Sequence, residues 1–145
     1  MPQEKLVFAP SRMTKTQAMH LNPRQWAFIG DTVYSLFVRT RILTQTDFPL
    51  AKMHKISVLD VNSGAQAAIF DRLEPLLSED EQDILRRGRR IRTRSSHSRN
   101  DPAEYSKSTA LEGLVGYLYL TGQDARLEEI MALIFSMTPE DTATK

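Results

Sequence analysis

Residues 22–43 carry the pattern that most constrains the fold, because a helix start signal is followed by a long run of helical periodicity. Asn22 is a good N-cap, Pro23 suits the first helical position, and Gln25 stands three residues after the cap, as a capping box requires. Apolar residues then recur at three- and four-residue spacing to about Leu43. The segment predicts a long helix against which other parts of the chain pack.

Helical signals also dominate the rest of the chain, and strand signals are nearly absent. Residues 1–20 show no steady period and predict an irregular arm that becomes helical only near Thr16. Further helices are predicted over residues 49–59, 62–77, 78–88, 104–120 and 125–137, before a polar tail at 138–145. Gly88 is predicted to be the C-cap of its helix. The pattern predicts one all-α domain of six or seven helices over residues 21–137.

Composition limits the environment of the protein. The chain has 145 residues, enough for one domain with its own core, and no cysteine, which excludes disulfides and thiolate metal sites. The N-terminus lacks the basic and then apolar pattern of a secretory signal, and no apolar run approaches the roughly 20 residues that span a bilayer. These features predict a soluble, cytoplasmic protein with no membrane partner.

Two acids, Asp31 and Glu112, each interrupt an apolar helical pattern. A carboxylate on an apolar face is costly unless a positive charge meets it. The pattern therefore favours convergence of both acids on one divalent cation. Other partners stay open at this point: Asp31 can pair with Arg39 or Arg41 or bond to a helix end, and Glu112 can pair with Lys107 or an arginine.

The formal net charge of +1 conceals a local separation of sign. Four acids lie between residues 78 and 83, whereas residues 86–99 contain seven arginines and no acid. Residues 89–101 lack apolar periodicity and end at an Asn-Asp-Pro sequence, so they predict an exposed loop. Charged partners are expected at this basic stretch; the alternative is a solubilising surface.

Several segments resemble a known family. Residues 29–33, Ile-Gly-Asp-Thr-Val, resemble the core of the ribonuclease III signature, and residues 109–120 resemble the second catalytic helix of that family. Four more segments are similar to its short bacterial class, Mini-ribonuclease III: His54-Lys55, Val61 to Gln66, Arg87 to Arg89, and Tyr105 to Glu112. The resemblance covers roughly residues 20–137, and the order and separation of the segments make it specific.

The resemblance implies a ribonuclease III-like helical fold and a magnesium-dependent endoribonuclease that cuts double-stranded RNA as a homodimer. In the short class the substrate is a stem in the precursor of large-subunit ribosomal RNA, and a ribosomal protein is a further candidate partner. Asp31 and Glu112 match the catalytic acids and are predicted to bind Mg²⁺, which prefers hard oxygen ligands. The alternative is a catalytically silent RNA-binding or ribosome-associated module on the same fold.

The chain departs from the longer enzymes of the family at two positions. Ala27 and Thr109 stand at positions where those enzymes carry additional acids. The short class has the same reduced set of acids.

RNA contact is predicted for seven basic residues, because they can reach phosphates of an A-form duplex: His54, Lys55, Arg87, Arg89, Arg90, Arg92 and Arg94. For His54 and Lys55 a solvated helix face is an equally open interpretation.

A few polar and aromatic residues are interpreted structurally. Ser63 and Gln66 are predicted to start and pack a helix, not to read bases. Tyr105, Tyr117 and Tyr119 stand at helical spacing, which predicts packing in the core or in a dimer interface.

Overall fold

The computed structural model describes residues 12–90 and 102–138. These residues form seven α-helices and one 3-10 turn, with no strand among them, which confirms the all-α prediction and the expected number of helices. The helices are α1 (Lys15–Met19), α2 (Pro23–Gln45), α3 (Leu50–Val61), α4 (Ser63–Leu73), α5 (Glu79–Arg89), α6 (Pro102–Leu120) and α7 (Asp124–Ser136), with the 3-10 turn at Glu74–Leu76. In this part of the chain no helix combines the length and apolarity needed to cross a membrane.

Capping boxes fix the start of α2, as the sequence predicts, and the start of α5. The Asn22 side chain accepts a hydrogen bond from the backbone N–H of Arg24 at 2.8 Å, and the Asn22 N–H bonds to the Gln25 side chain at 2.8 Å. Ser78 and Glu81 form the same reciprocal pair at the start of α5. Both boundaries are therefore set by contacts local in sequence.

Two predicted helix ends are wrong. Gly88 does not cap α5, because the helix continues to Arg89 and ends on Arg90. A Cβ on Gly88 would lie 2.7 Å from the Cα of Ala110, so this glycine permits α5 to approach α6. Helix α4 ends before residue 77, since Pro75 has no N–H with which to continue the helical bonding.

Helix α6 is the central element of the domain. It contacts α2, α4, α5 and α7, and its contact with α2 is the most extensive in the described structure. Leu111, Leu114 and Leu118 are fully buried, as expected for a helix surrounded on most sides by others. The residues that α6 carries are consequently held by most of the core.

Helices α2 and α6 cross with no side chain between them. A Cβ on Gly30 would lie 1.7 Å from the carbonyl oxygen of Glu112, and one on Gly116 would lie 1.9 Å from that of Trp26. Beside the crossing, the Trp26 and Tyr117 rings meet edge to face, with centroids 5.6 Å apart. The crossing therefore places Asp31, the neighbour of Gly30, next to Glu112.

The described part of the N-terminal arm packs on the far end of α6. The Met13 N–H donates to the Leu120 carbonyl at 2.7 Å, and Arg12 pairs with Asp124 at 2.5 Å. The Trp26 indole N–H donates to the carbonyl of Ala18 in α1 at 2.8 Å, which joins the arm to the core. Residues 1–11 of the predicted arm and 139–145 of the predicted tail lie outside the described residues.

Candidate active site

The crossing of α2 and α6 brings Asp31 and Glu112 together. Burial, the charge of Asp31 and a hydrogen bond between the two carboxyl groups raise the pKa of Glu112 to about 8, although a bond from Gln66 acts in the opposite direction. The sequence places both acids in apolar patterns, but the structure exposes Asp31 and leaves only Glu112 largely enclosed. Glu112 is thus the inner acid and Asp31 the outer acid of a pair at one opening to solvent.

Buried polar side chains surround Glu112 on its protein side. Gln66 of α4 donates its Nε2–H to Oε2 of Glu112 at 3.3 Å, and Ser108 donates its hydroxyl to Oε1 of Gln66. Tyr34 lies beside the same amide; burial and the negative charges of Asp60 and Glu112 raise the pKa of Tyr34. Polar groups from α2, α4 and α6 therefore meet behind the inner acid.

The packing prediction for Gln66 is correct, but it does not include the hydrogen bond to Glu112 that makes Gln66 a further residue of the site. Its side chain is fully buried, among apolar positions of α4 that include Ile69, Phe70 and Leu73. The sequence signal for this contact is one amide among the apolar positions of α4, because a polar group that is buried there needs a hydrogen-bond partner.

The alternative ion pairs are not found in the described residues. Lys107 pairs with Asp71 at 2.6 Å instead of with Glu112. Arg41 lies over the ring of Phe135, 4.9 Å from its centroid. No salt bridge joins either acid of the site to a basic side chain within 12–90 and 102–138.

Two adjacent carboxylates fit a hard divalent cation that retains much of its water. In the part of the chain that the structure describes, no group of three or more His, Cys, Asp or Glu side chains is arranged to hold a metal. Mg²⁺ commonly binds through one or two carboxylates and keeps several waters, whereas zinc requires three or four protein ligands. A cation would also relieve the repulsion that raises the pKa of Glu112.

Three of the predicted arginines lie at one end of α5. Arg87 and Arg89 are exposed in its last turn, and Arg90 is its C-cap. This end of α5 packs on Ala110, which is two residues before Glu112 in α6. Residues two apart on a helix point to different sides, so this contact anchors the end of α5 on α6 without bringing its arginines to Glu112. Arg92 and Arg94 lie outside the described residues.

His54 and Lys55 lie elsewhere, exposed on α3. Together with Val58 and Leu59 they line an apolar depression that contains neither acid. The structure consequently groups these two residues with an apolar surface and does not bring them to the carboxylates.

The three tyrosines have different environments. Tyr117 is buried, and Tyr119 is partly buried beneath the guanidinium of Arg12, 4.6 Å from the ring centroid. Tyr105 is 37% exposed and does not belong to the core. Packing in the core is therefore confirmed for Tyr117 and Tyr119, whereas a place for Tyr105 in a dimer interface stays a prediction.

Comparison with known proteins gives the class of the domain. The sequence profile of the Ribonuclease III domain matches residues 24–123, a span that includes both acids. A crystal structure of a Fusobacterium nucleatum protein shares the fold, with a TM-score of 0.74 over 86% of this chain and 98% of that chain, at 23% identity. The helical fold with its paired acids is that of a ribonuclease III domain.

Curated relatives define the group more narrowly. Mini-ribonuclease 3 of a Thermoanaerobacter species is 41% identical over 88% of this chain and 90% of the relative. The Mini-ribonuclease 3 proteins of Symbiobacterium thermophilum and Clostridium tetani are 42% and 34% identical, over 82% and 93% of this chain and 92% and 90% of their own lengths. The chain belongs to the Mini-ribonuclease 3 family of ribonuclease III-type endoribonucleases.

Proposed function

We propose that this endoribonuclease cuts double-stranded RNA with Mg²⁺ held by Asp31 and Glu112. One observation carries the proposal: the backbone contact between α2 and α6 fixes two carboxylates side by side at an opening to solvent. When bound, Mg²⁺ lowers the pKa of an attacking water and neutralises charge that gathers on the scissile phosphate. The exposed position of Asp31 leaves the opening accessible to a phosphate backbone.

The arginines at the end of α5 are proposed to hold the RNA. Arg87, Arg89 and Arg90, followed in the sequence by Arg92 and Arg94, provide guanidinium groups that match phosphate oxygens in geometry and charge. Because A-form RNA hides its base edges in a deep groove, such contacts read the backbone and the 2′-hydroxyl groups. His54 and Lys55 are proposed as more distant RNA contacts on α3.

The working form is proposed to be a homodimer, since cutting both strands of a duplex calls for two sites related by a two-fold axis. Of the eight exposed large hydrophobic side chains in the described residues, six lie on α2 and α3: Phe28, Leu36, Leu43, Leu50, Val58 and Leu59. An apolar surface of this kind marks an interaction site. A second copy of the chain is its proposed occupant.

The proposed substrate is a stem in the precursor of large-subunit ribosomal RNA, as in the class that the sequence resembles. A ribosomal protein is a candidate to present that stem, and the cytoplasm is the proposed location. Residues 21–137 are proposed as the catalytic unit, with residues 1–20 as an arm and 138–145 as a tail.

The testing experiment compares cleavage of structured ribosomal RNA precursor with and without Mg²⁺. Asp31→Asn and Glu112→Gln are each expected to abolish discrete cuts while RNA binding persists, because both changes remove only a metal-binding charge. Asp47→Asn and Glu128→Gln are matched controls, since both of these acids are exposed and lie outside the site.

If Asp31→Asn or Glu112→Gln keeps more than about a tenth of wild-type activity, the substituted residue is no essential ligand. Such a variant raises the reaction barrier by less than about 1.4 kcal/mol. Binding without cleavage by the wild-type protein would favour the silent RNA-binding module.

A further inference from the structure

The side chain of Gln66 connects Glu112 to the protein interior. Gln66 is fully buried, its Nε2 lies 3.3 Å from Oε2 of Glu112, and its Oε1 accepts the hydroxyl of Ser108, which is itself 8% exposed. Tyr34 lies against the same amide. Two buried neighbours, Ser108 and Tyr34, and the partly buried Glu112 thus surround the amide, so its orientation is well defined.

The direction of these hydrogen bonds is set by chemistry. When Glu112 is ionised, as a metal ligand must be, its carboxylate can only accept, so the amide turns its N–H toward it. The carbonyl of Gln66 then faces Ser108, whose hydroxyl is able to donate. This arrangement supports Glu112 in its ionised form, which is the form that binds a cation, and engages only one of its two oxygens.

We infer that Gln66, anchored by Ser108, is a positioning residue that fixes the carboxylate of Glu112 for metal binding. The inference rests on the proposed function, because it concerns the same metal site. A glutamate side chain loses rotamer freedom when it must hold one orientation, and the buried amide supplies that constraint in advance. Partners that orient metal ligands typically contribute about 10- to 100-fold in metal affinity or activity.

The main variant is Gln66→Met, which keeps the length and unbranched shape of the side chain but removes the donor. Gln82→Met is the matched control, because Gln82 donates its Nε2–H to the Glu74 carbonyl at 2.9 Å, away from the acids. The probe is Mn²⁺, whose binding to the RNA-free protein is followed by electron paramagnetic resonance. Cleavage is measured in parallel as kcat and KM at several Mg²⁺ concentrations.

For Gln66→Met we expect Mn²⁺ affinity to fall about 10-fold or more. We expect kcat at low Mg²⁺ to fall with it and to recover as Mg²⁺ is raised, while KM for the RNA stays the same. Gln82→Met should match the wild type in each measurement. Wild-type Mn²⁺ affinity in a folded Gln66→Met protein would overturn the inference.

Ser108→Ala is the second variant, because it removes only the anchor and keeps the bond between Gln66 and Glu112. We expect a smaller loss of Mn²⁺ affinity in the same direction, and this variant decides the question if Gln66→Met does not fold. An unchanged affinity in Ser108→Ala would then overturn the inference. Asp31→Asn separates this inference from the proposed function: if Asp31→Asn binds Mn²⁺ as tightly as the wild type, the metal site itself is wrong.

Discussion

Gly30 of α2 and Glu112 of α6 touch through backbone atoms, so closely that a Cβ on Gly30 would lie 1.7 Å from the Glu112 carbonyl oxygen. No side chain can be accommodated there unless the two helices separate. Separation would also move Asp31, which follows Gly30 directly, away from Glu112. The residue at position 30 therefore controls the relative position of the two acids.

Gly30→Ala is expected to destabilise the protein by about 3 kcal/mol or more and to abolish cleavage, because the obstacle is backbone and cannot rotate away. Gly113→Ala is the control on the same crossing, since its Cβ would meet only ordinary contacts at 3.8 Å or more. The control is expected to be neutral or to gain up to about 1 kcal/mol from the better helix propensity of alanine. Urea unfolding measures both; equal stability of the two variants would contradict the backbone contact.

The raised pKa of Glu112 predicts a pH dependence of the metal-free protein. Folding raises this pKa from 4.5 to about 8, so protonated Glu112 favours the folded state. That contribution is complete below about pH 4.5 and is lost as the pH rises through about 8. Glu112→Gln lacks the titration, and its free energy of unfolding relative to wild type should therefore increase between pH 5 and 8.

Unfolding in EDTA across this pH range tests the effect, and a constant difference between the two proteins would contradict it. Mg²⁺ competes with the proton for Glu112, so binding should release protons within the same window. Calorimetry in buffers of different ionisation enthalpy measures that release. Glu112→Gln should show none of it.

The arginines at the end of α5, and those that follow it in the sequence, should govern the salt dependence of RNA binding. Replacing Arg89, Arg90, Arg92 and Arg94 with glutamine should weaken binding and flatten the plot of log affinity against log salt, by at most about 0.9 per lost phosphate contact. The single-turnover rate at saturating RNA should approach wild type, because the acids are intact. Lys15→Gln is the control, since α1 packs at the opposite end of α6. An unchanged salt slope would identify these arginines as a solvated surface.

The apolar surface of α2 and α3 should set the oligomeric state. Leu43 and Val58 are 66% and 64% exposed, and a lysine at either position would place a charge in a dry interface. Leu43→Lys with Val58→Lys is expected to give monomers by light scattering at micromolar concentration, whereas Leu76→Lys, on the 3-10 turn, should remain dimeric. A wild-type monomer that still makes double-strand cuts would count against the dimer.

Glu81 and Arg126 should contribute to stability except in acid. Arg126 donates from Nε and Nη2 to the two Glu81 oxygens at 2.7 and 2.8 Å, and these bonds lower the pKa of Glu81 against the opposing effect of burial. The contribution is present above the unfolded pKa of 4.5 and is lost as the pH falls through the folded pKa. Glu81→Gln is expected to cost about 2 kcal/mol at pH 7.

Glu129→Gln is the control for this pair, because Glu129 meets the same arginine at 3.4 Å but has a side chain that is 67% exposed. Its cost should be below about 0.5 kcal/mol. Urea unfolding at pH 7 and pH 3 measures both variants. If Glu81→Gln loses as much relative to wild type at pH 3 as at pH 7, the ion pair is not the cause.

A structural feature could be predicted from the sequence where the residues that cause it lie close together in the chain. The start of α2 could be predicted because Asn22 and Gln25 bond to each other across three residues. The role of Gly88 could not be predicted, since a glycine near a helix end is equally compatible with a cap and with close packing. The difference depends on Ala110, which belongs to another helix and is distant in sequence.

The same distinction applies to the candidate site. Asp31 and Glu112 were recognisable because each acid breaks an apolar period. Their different exposure depends on how α2 and α6 are rotated about their axes, which no local pattern specifies. The contact from Gln66 was also hidden, because its two partners, Ser108 and Glu112, are supplied by α6.

Trp26 gives the crossing an internal optical probe. It is the only tryptophan of the chain, it is fully buried, and its carbonyl oxygen lies against Gly116. Its emission therefore comes from one place, four residues before Gly30 on the same helix. A red shift in a variant whose circular dichroism is unchanged would mean that water has entered between α2 and α6 while the helices persist, so a steady-state spectrum can distinguish a loosened crossing from global unfolding.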